Sequence, residues 1–293
     1  MQLKSILCPI DFSDFSVAAY RYALSVAEHY NAQVIALHVV ELWKYPFADY
    51  GAYEADYAKF SGALHEGGEV RLREFVGKYP HDPIHPELVV NVGNASDSIL
   101  RFAEEQNIEL IVMGSHGRRG FDRLVLGSTT DRVMRRASSP VLVISKAPHD
   151  SMTADQRKRH RLRRVLYCTD FSQNSERALN YAMSATAEYD GELTLLHVVE
   201  KVPGRMTKDD LIATCVEQLD KLIPREARTN LKARTVVTFG KPYEQIVRYA
   251  EEAQVDMITM AARGADALDR AVFGSTTYRV IQLGPCPVLA VHT

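Results

Sequence analysis

Phe121-Asp122-Arg123-Leu124-Val125-Leu126-Gly127-Ser128-Thr129-Thr130 is written a second time, 147 residues later, as Leu268-Asp269-Arg270-Ala271-Val272-Phe273-Gly274-Ser275-Thr276-Thr277. A repeat over that distance means two domains of one fold. Working outward, Asp11-Phe12-Ser13 answers Asp170-Phe171-Ser172, and Leu37-His38-Val39-Val40-Glu41 answers Leu196-His197-Val198-Val199-Glu200, now at an offset of 159. The two offsets differ by 159 − 147 = 12, so the first half carries 12 extra residues between His38 and Gly93, the counterpart of Gly240. Everything after that insertion stays in register. The boundaries read as a first domain over 1–147, a linker over 148–162 and a second domain over 163–293.

A chain of 293 residues suits two ordinary domains better than one core. With 46% hydrophobic residues, 25% charged residues and a net charge of −2, it has the composition of a globular protein without a bulk attraction to nucleic acid or anionic membranes. Neither a secretory signal nor a membrane span stands out, which favours the cytoplasm. Cys8, Cys168, Cys215 and Cys286 form no CxxC pair and no metal-ligand spacing, so they read as reduced structural thiols.

Apolar runs rich in β-branched residues alternate with helix-period segments through both halves, the pattern of parallel α/β layering. In the first half the strands are expected at Lys4 to Pro9, Ala32 to Glu41, Glu87 to Val92, Glu109 to Gly114 and Pro140 to Ser145, with helices at Ser13 to Tyr30, Ala52 to Lys78, Ala95 to Gln106 and Ser128 to Ala137. The second half is expected to repeat that order, with strands near Arg164 to Cys168, Glu192 to Glu200, Ala233 to Thr238, Asp256 to Ala261 and Pro287 to His292. Leu110-Ile111-Val112 and Val288-Leu289-Ala290-Val291 are continuously apolar, as strands covered on both faces should be. The fold class is α/β: two tandem doubly wound, five-stranded parallel-sheet domains of Rossmann-like type. In such sheets ligands bind beyond the carboxyl ends of the strands, where Asp11, Val39 to Glu41 and Gly114 to Gly127 all fall.

Gly114-Ser115-His116-Gly117, nine further residues, then Gly127-Ser128-Thr129-Thr130 is the most specific motif. Glycine permits tight turns and close backbone approach, and the first amides of a helix starting near Ser128 lack intrahelical acceptors. Those amides and the helix dipole suit an anion, with the Ser128 and Thr129 hydroxyls adding donors or reaching a metal. Singly, each residue has a structural use: the glycines as turns, Ser128 as an N-cap. As a set at a strand end and a helix start they point to a polyphosphate. Neither a Walker lysine nor a GxGxxG after the first strand is present, which argues against a P-loop NTPase and a nicotinamide dehydrogenase. Positive charge would come from Arg118, Arg119, Arg123 or a bound Mg²⁺, the arginines otherwise being solvated surface residues.

Asp11, Leu37-His38-Val39 and the Gly-x2-Gly-x9-Gly-Ser loop together resemble the universal stress protein family, as a tandem of two domains of its ATP-binding branch. The resemblance implies an adenine nucleotide alpha hydrolase-like fold. It implies that Pro9, Ile10 and Asp11 lie beside adenine and ribose, that Val39 meets the base, that Met113 and Gly114 flank the nucleotide, and that His116, Gly117, Gly127, Ser128 and Thr129 hold phosphates. The implied ligand is ATP, with Mg²⁺. Asp11 has a second reading as the cap of the first helix, and His38 and His197 read as strand histidines tied to backbone.

The second domain departs from this pattern: Gly114, Ser115 and His116 become Ala261, Ala262 and Arg263, and Pro9 becomes Cys168. A weaker second site would use Asp170, Val198, Arg263, Gly264, Gly274, Ser275 and Thr276. Adding a Cβ at Ala261 is expected to crowd the ligand's approach.

Other features read plainly. Arg157-Lys158-Arg159-His160-Arg161-Leu162-Arg163-Arg164 is a basic linker, a solvated hinge ahead of a nucleic-acid patch. Tyr50, Tyr53, Tyr57 and Phe60 share a helical face and suit core packing. The final strands, Pro140 to Ile144 and Pro287 to Val291, are apolar edges. The resemblance implies that the halves pair as an intramolecular pseudo-dimer, with a homodimer open. Three functions stay in competition: an ATP-dependent stress or signalling module with slow or no hydrolysis, a weak ATPase, and a nucleotide-free scaffold.

Overall fold

The computed structural model describes residues 3–41, 54–117, 126–145, 162–202, 204, 206–263 and 274–292, without the side chains of 54–59. The chain divides into two compact units, Gln2–Lys158 and Arg159–Thr293.

In the first unit the order is β1 (Ser5–Pro9), α1 (Asp14–Tyr30), β2 (Gln33–Val40), α2 (Glu54–Gly77), β3 (Glu87–Val92), α3 (Ala95–Glu105), β4 (Leu110–Gly114), α4 (Ser128–Arg136) and β5 (Val141–Ile144). The strands lie in the order β3-β2-β1-β4-β5, all parallel. β1 is central, with Pro9 opposite Leu37 of β2 and Leu7 opposite Ile111 of β4. The chain winds outward through β2 and β3, then crosses back to β4 on the other side of β1. The loops after β1 and β4 therefore leave in different directions, and a crevice opens between them.

Ile6, Leu7 and Cys8 of β1 and Ile111 and Val112 of β4 are fully buried, as the unbroken apolar runs required. Ser13 caps α1 by accepting the Ser16 amide, and Asn31 closes it in a left-handed conformation, φ 52°. Four of the nine buried residues of α1 are alanines, Ala18, Ala19, Ala23 and Ala27, which lets the helix ride close to the sheet.

α2 comes close to the sheet at Gly68. A Cβ there would stand 2.8 Å from Val90 Cγ1 and 3.0 Å from Val40 Cγ2. Leu72 and Phe75, one turn and two turns further on, are buried. The expected aromatic face lies mostly outside the described residues, at Tyr50, Tyr53 and the Tyr57 side chain; Phe60 is half-buried.

In the second unit the order is β6 (Arg164–Thr169), α5 (Gln173–Glu188), β7 (Glu192–Val199), α6 (Lys208–Leu222), α7 (Arg225–Asn230), β8 (Arg234–Phe239), α8 (Pro242–Glu252), β9 (Met257–Ala261), α9 (Ser275–Leu283) and β10 (Val288–Val291). Its strands run β8-β7-β6-β9-β10, again parallel. The repeat is not literal. Where the first unit has the one long helix α2, the second has two, because Pro224 cannot continue α6 and instead starts α7.

All four cysteines are buried free thiols. The basic linker lies outside the described residues except at its end. Among the described residues no helix is long and apolar enough to cross a membrane.

Candidate functional site

The β1 end of the crevice is fixed by a short chain of hydrogen bonds. Ile10 donates its amide to Leu37 O at 2.8 Å and accepts at its carbonyl from His38 Nδ1 at 2.8 Å. His38 is therefore a backbone-tied strand histidine. Asp11 follows, and its Oδ1 accepts from the Ser13 amide at 3.0 Å and from Ser13 Oγ at 2.6 Å. Asp11 does not cap α1 itself; it orients Ser13, which does, through Ser16 N at 3.2 Å. Asp11 is thus held in a turn of side chain on backbone.

Between Asp11 and Ser13, Phe12 takes a left-handed backbone, φ 65°. A bulky residue in that region costs about 1–3 kcal/mol and persists only where its surroundings over-determine it. Here the ring lies 4.5 Å from the His38 ring and 5.7 Å from that of Phe75, with the Arg71 guanidinium 4.4 Å above it. Sequence reading overlooked Phe12. The available signal was its exact recurrence as Phe171, φ 61°, whose ring lies 4.3 Å from that of His197.

The β4 side is built around α4. Ser115 N donates to Ile144 O at 2.9 Å, extending the β4–β5 ladder, and Gly127 N donates to Ser115 O at 2.8 Å, folding the loop's exit onto its entrance. Thr130 Oγ1 clamps the Gly114 carbonyl at 2.8 Å. Gly127 is the N-cap and provides no side-chain cap, so Ser128 opens the helix instead of capping it. The first intrahelical bond runs from Asp131 N to Gly127 O at 2.8 Å. The amides of Ser128, Thr129 and Thr130 have no acceptor within the helix, the condition for an anion site.

Two glycines keep this cradle open. A Cβ on Gly127 would sit 3.3 Å from Ser115 O and 3.5 Å from Gly117 N; one on Gly117 would sit 2.7 Å from Asp11 Oδ2. The β1 and β4 loops thus meet at Asp11 and Gly117, at the switch point. His116 lies beside them, 7% exposed, its ring 5.1 Å from that of Phe15 and its Nδ1 2.8 Å from Ser115 Oγ. His116 Nε2 is buried without a hydrogen-bond partner among the described residues. Pro9 ends β1 with Ile10 just beyond it, Met113 stands on the neighbouring β4, and Val39 is half-buried near the end of β2. Arg118, Arg119 and Arg123 lie outside the described residues.

Gly114 also has a packing role of its own. A Cβ there would fall 2.7 Å from Phe15 Cβ and 2.9 Å from Phe15 C, so glycine allows α1 to seat on β4. Its φ is not in the left-handed region; among the described residues the positive-φ glycines are Gly93 and Gly240.

The second unit keeps the frame. Ser172 N donates to Asp170 Oδ1 at 3.0 Å, and His197 Nδ1 donates to Thr169 O at 2.9 Å. Gly274 N donates to Ala262 O at 3.0 Å and Thr277 Oγ1 to Ala261 O at 2.9 Å, with Gly274 again an uncapped N-cap ahead of Ser275 and Thr276. Val198 stands on β7 opposite Thr238, and Arg263 follows Ala262 in the place of His116. Gly264 lies outside the described residues.

Comparison with known proteins agrees with this architecture. The family model described as "Universal stress protein family" matches residues 2–145 and again 161–292. A universal stress protein of Methanocaldococcus jannaschii is 36% identical over 146 residues, covering 49% of this chain and 82% of that protein. One from Synechocystis is 22% identical over 311 residues, covering 98% of this chain and 99% of that one. The crystal structure of a universal stress protein from Archaeoglobus fulgidus superposes with a TM-score of 0.71 at 26% identity, over 98% of this chain and 96% of that chain. Two successive family matches, on two units of the same strand order, show that the chain is a tandem-domain member of the universal stress protein family.

Proposed function

We propose that the first domain binds ATP and that the chain serves the stress response as a nucleotide-dependent module with slow or no hydrolysis. The observation that carries the reading is the uncapped start of α4, its amides kept clear by Gly127 and faced across the crevice by Asp11 and Gly117. The residues fit the ligand. The amides and hydroxyls of Ser128 and Thr129, with Gly117 and His116, would hold the phosphates; Asp11 would accept from the ribose; Pro9, Ile10, Val39 and Met113 would line the base. A Mg²⁺ ion, when bound, would supply the positive charge that the described cradle lacks.

Hydrolysis would need a positioned water and a stabilised leaving phosphate. The sequence identifies neither a dedicated base nor an arginine finger, and the reading is therefore one of binding ahead of turnover. The second domain retains Asp170 and an uncapped α9 but has Arg263 for His116, and it ranks as the weaker site. The two family domains fit an intramolecular pairing, and a cytoplasmic setting and a homodimer belong to the same reading.

Calorimetric titration of the full chain with ATP and Mg²⁺, alongside mass spectrometry of small molecules released from purified protein, tests the proposal. One nucleotide per chain, lost in Gly127→Val, is expected. Absence of any binding would leave the scaffold reading in its place.

A further inference from the structure

Ser115 is completely buried, and its hydroxyl has one partner among the described residues, the Nδ1 of His116 at 2.8 Å. A neutral imidazole carries one N–H, so the bond can run in either direction. If Nδ1–H donated, the buried Ser115 hydroxyl hydrogen would have nowhere to go, and Nε2 would be an orphaned acceptor. If the hydroxyl donates, both Ser115 and Nδ1 are satisfied, and the one group left without a partner is an N–H at Nε2. A buried donor or acceptor left unpaired costs about 1–3 kcal/mol, which decides for the second arrangement.

The second domain supports this assignment by what it changes together. Phe15 and Ser115 each meet the His116 ring, and at the offsets of 159 and 147 the three residues become Asn174, Ala262 and Arg263. Arginine bears donors on every nitrogen and needs no neighbour to choose a tautomer for it. The serine disappears where the histidine does.

We propose that Ser115 is a positioning residue: by donating to Nδ1 it fixes His116 as an Nε2–H donor beside the α4 amides, so that the ring meets an anionic ligand as a donor while neutral. The ligand half of this statement rests on the nucleotide reading above; the tautomer half does not.

Long-range proton–nitrogen NMR of histidine-labelled full chain reports the tautomer directly. The chain has 10 histidines, so the His116 signals are assigned by their loss in His116→Gln. The expected result is a single Nε2–H tautomer in the native protein, a mixture in Ser115→Ala, and ATP binding weakened about threefold to tenfold by that change. In a His116→Arg background, Ser115→Ala should shift the ATP affinity by less than about twofold. An Nδ1–H tautomer in the native protein, an unchanged ring in Ser115→Ala, or equal affinity losses in both backgrounds would overturn the proposal. Tautomers that behave as expected in a chain that binds no ATP would support the hold of Ser115 on the ring and retire the nucleotide reading instead.

Discussion

The position a Cβ would occupy on Gly117 lies 2.7 Å from Oδ2 of Asp11, joining the two loops of the crevice at one point. The other carboxylate oxygen of Asp11 is held by Ser13. A methyl group at 117 can therefore be accommodated only by turning the carboxylate out of its place. Gly117→Ala should weaken ATP binding at least about tenfold, about 1.4 kcal/mol, and lower stability by no more than the about 1–2 kcal/mol expected where Ser13 loses its hold on the carboxylate. Titration calorimetry and urea denaturation on the same samples check both halves, and unimpaired binding would mean that Asp11 does not face the ligand.

Gly114→Ala should do the reverse. Its Cβ would strike the backbone of Phe15, which cannot move without displacing α1. A stability loss of about 1–3 kcal/mol is expected for such overpacking, read from the denaturation of the first domain. Ala261→Gly in the second domain opens space instead and should cost about 1 kcal/mol or less.

Asp11→Ala removes both hydrogen bonds, from the amide and the hydroxyl of Ser13 to Asp11 Oδ1, that hold Ser13 in its capping position. A loss of about 1–2 kcal/mol in stability is expected, together with loss of ATP binding. The same variant serves as the control for turnover. Rapid phosphate release by the native chain, abolished in Asp11→Ala, would convert the reading to an ATPase.

Burial pushes the thiols of Cys8 and Cys168 far above the ordinary cysteine range. Folded, they keep their protons at alkaline pH; unfolded, they ionise near pH 8.5. The unfolded state then binds fewer protons than the native state, so this contribution to stability is complete below about pH 8.5 and is lost as pH rises above it. The urea midpoint should fall between pH 7.5 and 9.5, and fall less in Cys8→Ala. Neither thiol should react with a maleimide at neutral pH until denaturant is added.

The sheet was legible because its strands are covered on both faces and read as unbroken apolar runs; β3, Glu87–Val92, matches its expected span residue for residue. The loop after β4 was legible through glycine spacing, but the seating of α1 on Gly114 was not, since a helix pressing on a glycine and a ligand pressing on it leave the same letter. Pro224 was on the page and does split α6 from α7, but the repeat argued for a single helix and masked it. Phe12 could not be read locally, because its left-handed backbone opposes the preference of an aromatic residue and is sustained by His38, Phe75 and Arg71, all distant in the chain. Ser115 reads in the sequence as one loop serine among others; its hydroxyl's one partner among the described residues, His116 Nδ1, shows only in the structure.

The kink at Phe12 returns at Phe171 with nearly the same dihedral, φ 65° and φ 61°, and each sets an aspartate at the mouth of its own sheet. That aspartate is thus part of the scaffold, installed before any guest arrives and maintained in a lobe whose loop has drifted. On the nucleotide reading proposed above, ligand choice falls to the short stretch after the fourth strand. Grafting Gly-Ser-His into positions 261–263, with phenylalanine at 174, would rewrite specificity without touching the foundation beneath it.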